Sequence, residues 1–319
     1  MDMPNNNGPY KEIIVTHFGE FESEYHKLNK RRHHKSAVFR GQSDSDWGLV
    51  ATLFRDSIGV TELDDEYFTR KMSEEFLKIR FFVQIADKMG IDLPGDLQKL
   101  INNRDNINNF RNTKLYSQWH EVLNNPYTEL ITIAQHHGMP TRFLDFSFSA
   151  NVSLFFAALG AFNKLSTSEN KDKLLKKSFS LWMIDRNYLY NNKCSIGHFE
   201  TPTARNIYLN AQRGLFLYPD LPYFGFGLTS KSLNLKEVAI KNCYDIEYKE
   251  QDFKMGWPFI IKFNFSYDLS AEVLNELDER FDVNISSIMP NLDNIIIYHK
   301  FRENLEKYFD HVFDTDAGW

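Results

Sequence analysis

The stretch that decides the fold runs from Gln135 to Phe162 and reads QHHGMPTRFLDFSFSANVSLFFAALGAF. Its opening positions gather Gln135, His136, His137, Thr141, Arg142, Asp145, Ser147 and Ser149. Val152, Phe155, Phe156, Leu159 and Phe162 then recur at three- and four-residue spacing, which predicts a helix with one buried face. Ser147 or Ser149 stands where the N-cap of that helix belongs, and serine is a preferred capping type. A packed helix fixes the geometry of polar groups attached to it, as a binding or catalytic site requires. A well-capped core helix after an ordinary loop gives the same spacing.

Two further clusters lie outward from this block. Upstream, Ala37-Val38-Phe39 predicts a short strand, and Arg40-Gly41-Gln42 follows it. Gly41 permits close approach of a backbone or a ligand, or a positive φ. An arginine at the end of a buried strand needs an anionic partner, and its planar fork suits phosphate or carboxylate. Downstream, Ala211-Gln212-Arg213-Gly214 interrupts the β-prone run from Arg205 to Pro219. Three polar punctuation points beside core elements predict one composite site.

FRG at 39–41 with Trp47 after it, AQHHGMPTRFLDFS at 134–147, AQRGLF at 211–216 and SSIMPNLDNI at 286–295 resemble the FRG-domain family, in the family's order. The order also resembles, more distantly, the toxin-type ADP-ribosyltransferases. There an Arg-Gly ends the first core strand, a Ser-Thr-Ser strand leads into an apolar helix, and a later segment carries a catalytic Glu. FRG at 39–41 resembles the first element, SFS at 147–149 the second, and Gln212 falls at the place of the third. The sequence departs from that pattern at Phe148, where Thr is expected, and at Gln212, where Glu is expected.

The resemblance implies an α+β fold with an ADP-ribosyltransferase-like split β-sheet core and a helical insertion. Residues 1–319 form a single elaborated FRG domain, with 60–132 as a helical subdomain or lid within it. It implies NAD as co-substrate of a mono-ADP-ribosyltransferase, a toxin or phage-defence effector modifying RNA, single-stranded DNA or protein. A cognate antitoxin or regulator is an expected partner. Cofactor contacts fall on Arg40, Gly41, Gln42, His136, Thr141, Arg142, Ser147 and Ser149; catalytic roles fall on Arg40, Gln212 and Asp145. Glu200 is a second acid that could replace the missing Glu. The alternatives are a non-catalytic nucleotide or nucleic-acid binding module, which Gln212 favours, and an NAD glycohydrolase. Each residue also has a simpler role: Arg142 and Asp145 can pair across the turn after Pro140, and adjacent histidines are more often structural than catalytic.

Composition narrows the classes. The 319 residues are 42% hydrophobic and 25% charged, enough to bury a sizeable core. No apolar stretch approaches the ~20 residues of a membrane span, and the N-terminus lacks a signal-peptide pattern. Cys194 and Cys243 stand far apart, without zinc-ligand spacing, so no metal site is expected. These features predict a cytoplasmic protein. The net charge of −6 argues against a uniformly basic surface. The run Lys30-Arg31-Arg32, close to Arg40, is the part suited to guiding a nucleic-acid acceptor. No GxGxxG or GxxxxGK[ST] loop is present.

Periodicity predicts helices over Ile13–Lys30, 65–90, 96–132, Ala271–Asp282 and Leu292–Asp310, with Asp96 as a cap after LPGD at 93–96. Strands are expected at Ser178–Ile184, Arg205–Leu209, Leu215–Leu217, Glu237–Ile240 and Phe259–Phe265, where β-branched and aromatic residues dominate. Residues 163–173 have loop composition.

Overall fold

The computed structural model describes residues 9–31, 37–93, 127–168, 170–189, 195–200, 214–220, 229–245 and 258–316. Its centre is a seven-stranded mixed sheet flanked by helices, an α+β arrangement. The strands are β1 (Tyr10–Val15), β2 (Ala37–Gln42), β3 (Leu144–Ser147), β4 (Ser178–Asp185), β5 (Ile196–Phe199), β6 (Gly214–Pro219) and β7 (Ile260–Ser266). They lie in the order β1-β7-β4-β2-β3-β6-β5. Only β1 and β7 run parallel; the other neighbours are antiparallel.

Both faces of the sheet are covered, so its central strands are apolar in both phases of the two-residue repeat. On β4, Phe179, Leu181 and Met183 face one core while Trp182 and Ile184 face the other. The first core receives α4 (Ala150–Thr167) and α6 (Ser270–Phe281). Ala157, Ala158 and Ala161 are fully buried on α4, and these small side chains let the helix lie close to the strands. The second core receives α2 (Asp65–Lys88) and α3 (Thr128–His136). Phe76, Ile79 and Val83 of α2 share that core with Leu144 and Leu217 of the sheet, so α2 is packed onto the sheet. Helices α1 (Phe18–Arg31), α5 (Leu235–Asp245) and α7 (Leu292–Asp316) complete the longer elements.

Several expectations need correction. Ile13–Val15 belongs to β1, and the helix starts at Phe18. Ile13 and Val15 are buried while Ile14 is exposed, a two-residue period that merges into the helical stripe because Val15 and Phe18 are three apart. Residues 163–167 continue α4, with Leu165 buried, and Lys171–Leu174 forms a short helix capped by Asn170. Glu237–Ile240 is helical, not a strand. Asn234 Oδ1 accepts from Lys236 N at 3.1 Å, and this cap overrides the β propensity of Val238 and Ile240. Strands β1 and β5 were not anticipated. The expected strand Arg205–Leu209, the cap Asp96 and residues 94–126 of the helical insertion lie outside the described residues. Among the described residues no helix is long and apolar enough to cross a membrane, and no cluster of metal-ligating side chains occurs.

Candidate functional site

The site originates in a flaw of the sheet. β2 and β3 are neighbours, yet they pair through Phe39 and Ser147 alone. Beyond that rung the strands separate, and a cavity of about 380 Å³ opens between Arg40 and Gly41 on one side and Asp145 and Phe146 on the other. The start of α4 supplies Val152, Ser153 and Phe156; α3 supplies Thr132, Gln135 and His136. Gly214 to Phe216 of β6 and Met289 complete the wall. The volume lies within the usual range for small-molecule sites, roughly 300–1,000 Å³.

Arg40 bridges the gap. Its Nη1 donates to the backbone carbonyl of Asp145 at 2.6 Å and lies 3.7 Å from the Asp145 carboxylate. The guanidinium thus replaces the ladder bonds that the parted strands no longer make. Burial works against its charge, Asp145 supports it, and Arg55 opposes it. Asp145 is the more open partner, with 63% of its side chain exposed. Gln135 Nε2 donates to its carboxylate, and Gln135 Oε1 accepts from Thr141 Oγ1. Thr141 is buried, so this relay anchors the acid to the core.

The carboxylate is therefore held from two directions. His136, the last residue of α3, lines the same cavity; burial first and His137 second hold its pKa below the ordinary 6.5, against the pull of Asp145. Gly138 adopts φ +88° just past the helix end, the left-handed conformation that terminates helices and that glycine tolerates best.

The sequence-predicted residues fall into distinct groups. Arg40, Gly41, His136, Asp145 and Ser147 line the cavity. Gly41 is also explained by packing: a Cβ there would meet the Ser153 carbonyl oxygen of α4 at 1.8 Å. Ser147 Oγ accepts from Ser149 N at 2.9 Å, and Ser149 Oγ accepts from Val152 N at 3.3 Å, which makes Ser149 the N-cap of α4. Gln42 turns to the interior, accepting from Trp182 Nε1 at 2.7 Å and donating to the Gly48 carbonyl at 3.1 Å. Arg142 is buried against Glu75 of α2, donating from Nε at 2.8 Å and from its backbone N–H at 2.9 Å. Arg142 thus locks the turn onto α2, while Asp145 is taken by Arg40. Gln42, Thr141, Arg142 and Ser149 support the cavity without lining it.

Gln212 lies outside the described residues; Gly214, two residues on, pairs with Ser147. Glu200 ion-pairs with Arg186 at 3.3 Å. Thr132, Ser153 and Met289 were missed as lining residues. Of these, Met289 carried a signal, because it stands in the SSIMPNLDNI block.

A cleft in an antiparallel stretch of the α+β sheet thus brings an arginine, a carboxylate, a histidine and a serine to one largely apolar cavity, a candidate ligand site. The family model of the FRG domain matches residues 35–164, from just before β2 to within α4. Arg40, His136, Asp145 and Ser147 all fall within the match, whereas Gly214 and Met289 lie beyond it. No curated protein and no solved structure matches the chain.

Proposed function

We propose that this chain is an NAD-dependent mono-ADP-ribosyltransferase, with the cavity at the parted β2 and β3 strands as its active site. The observation that carries this reading is the meeting of Arg40, Asp145 and Ser147 at the split between neighbouring strands. The order of an Arg-Gly strand end, a serine-bearing strand and an apolar helix resembles the split sheet of toxin-type ADP-ribosyltransferases. The expected setting is a toxin or phage-defence effector restrained by a cognate antitoxin or regulator.

In the reaction the bond between nicotinamide nitrogen and ribose C1′ breaks, its electron pair leaves with nicotinamide, and C1′ develops positive charge. A preorganised carboxylate stabilises that charge best where water is partly excluded. Asp145 fits this task because Arg40 and Gln135 hold it at the cavity wall. Neutral His136 is suited to accept the proton of the acceptor's nucleophile as the new C1′ bond forms. Ser147 offers a hydroxyl for the ribose.

Incubation with NAD labelled in the adenylate half, together with RNA, single-stranded DNA and protein extract, tests the reading. Label should enter one class of acceptor with wild type and not with Arg40→Ala. NAD consumption without transfer would show a glycohydrolase. Absence of both consumption and any NAD-dependent rise in melting temperature would remove the NAD assignment.

A further inference from the structure

Beyond the end of β2 a second group of charges gathers around one aromatic ring. Trp47 is 45% exposed. The guanidinium carbon of Arg55 lies 5.9 Å from its ring centroid, and Nζ of Lys164 lies 4.6 Å from it. Asp44 supports the charge of Lys164 without forming an ion pair with it. Among the described residues neither cation makes an ion pair, and the nearby carboxylates are engaged elsewhere: Asp56 with Lys71 at 2.7 Å and Asp44 with Lys177 at 2.8 Å. Among the described residues Lys164 donates to the carbonyl and hydroxyl of Ser43, at 3.3 and 3.2 Å. Among the described residues the hydrogen bond of Arg55 is a long one, from Nε to the Val50 carbonyl at 3.5 Å, and its outer fork meets no acceptor there.

The turn that carries Arg55 is tied to a residue that supports the cavity. Arg55 belongs to the short 3-10 turn Thr52–Ser57, whose Leu53 N–H donates to the Thr141 carbonyl at 3.1 Å. Thr141 is the base of the relay that holds Gln135 and Asp145. The charge of Arg55 is also felt by Arg40. Arg40 has its own carboxylate; Arg55 has none among the described residues.

We propose that Arg55 and Lys164, gathered at Trp47, form a phosphate-binding rim that holds the diphosphate of the nucleotide whose reacting end occupies the cavity. The nucleotide part of this proposal rests on the NAD reading above. It transfers the phosphate contact from Arg40, which then serves to brace Asp145 across the strand gap. An arginine fork can take two oxyanion atoms at once, and a lysine adds a point charge.

Calorimetric titration with inorganic pyrophosphate and with NAD tests the rim on wild type, Arg55→Ala, Arg55→Lys and Lys164→Ala. Arg55 is exposed, so melting temperatures of its variants should match wild type. Arg55→Ala should weaken both ligands about tenfold or more, with partial recovery in Arg55→Lys. Lys164→Ala should weaken both to a smaller degree. Pyrophosphate binding that depends on Arg55 in a protein that does not bind NAD would uphold the rim and remove the NAD reading. Unchanged pyrophosphate affinity in Arg55→Ala, or none in wild type, overturns the rim. So does Arg55-dependent binding of a single-stranded oligonucleotide by a wild type that ignores pyrophosphate and NAD.

Discussion

Arg142 Nε lies 2.8 Å from Oε2 of Glu75, and both side chains are buried between α2 and the turn that leads into β3. Glu75 also accepts the Arg142 backbone N–H at 2.9 Å, so one carboxylate fixes both the side chain and the main chain of the turn. The pair positions the entry to β3 and hence Asp145.

Removing one member leaves a buried charge without its counterion, a loss of about 3–5 kcal/mol. Glu75→Gln and Arg142→Met should each lower the unfolding free energy read from urea denaturation by that order. The double variant Glu75→Leu with Arg142→Met should recover part of the loss. A double variant less stable than the sum of the singles would show that the pair is not the main link between α2 and the turn.

Asp145→Asn separates chemistry from folding. The Asp145 side chain is 63% exposed, so its pairing with Arg40 contributes little to stability, within about 1 kcal/mol. Loss of a preorganised charge at a transition state is expected to lower turnover by roughly 10²-fold or more. Rates within tenfold of wild type in the proposed NAD transfer assay would take Asp145 out of the proposed reaction.

Gly41→Ala places a methyl 1.8 Å from the Ser153 carbonyl oxygen. The neighbour is helix backbone, so either β2 or α4 must move, and a loss of about 1–3 kcal/mol is expected. Thermal denaturation reads it directly, and an unchanged melting temperature would mean that the helix can shift freely.

Ser149→Ala removes the N-cap of α4 and should lower stability by about 1 kcal/mol. It leaves the cavity lining intact, so ligand affinity should be retained. A selective loss of affinity without loss of stability would instead give Ser149 a contact with the ligand.

Stability should fall in mild acid. His136 is held below its ordinary 6.5, first by burial, and His198 is lowered likewise, first by burial and then by Arg186. Each is neutral in the fold where the unfolded chain is already protonated. Their contribution is complete above pH 6.5 and declines as pH falls from there through the folded-state values. His136→Gln should flatten the denaturation midpoint between pH 7 and 5, and a steeper profile would reverse the assigned sign.

Much of this arrangement was legible along the chain because it is periodic or capped. The stripe through Val152, Phe155 and Phe162, with serine before it, marks α4 and its start. The apolar runs at 37–39 and 178–184 mark two central strands. The relations that decide the site are long-range. Arg40 finds Asp145 at a separation of 105 residues, and Arg142 finds Glu75 at 67. No spacing rule distinguishes these partners from a local Arg142–Asp145 pair, because the choice is made by how α2 packs against the sheet. Met289 and Thr132 reach the cavity for the same reason: one follows α6 and the other lies within α3, and tertiary packing alone brings them to one wall.

The lone rung between Phe39 and Ser147 gives the molecule a mechanical character. Strands β1, β7, β4 and β2 form one stiff plate, and β3, β6 and β5 form another, each laced by its own ladder. The plates share one main-chain pairing and a strap from Arg40 to Asp145 at 2.6 Å, above a common apolar core to which Trp182 and Ile184 contribute from one side and Leu144 and Leu217 from the other. A ligand seated at the gap lies against those polar fastenings, which stand apart from the shared core. Grip on the guest and cohesion of the host at that gap therefore draw on the same bonds.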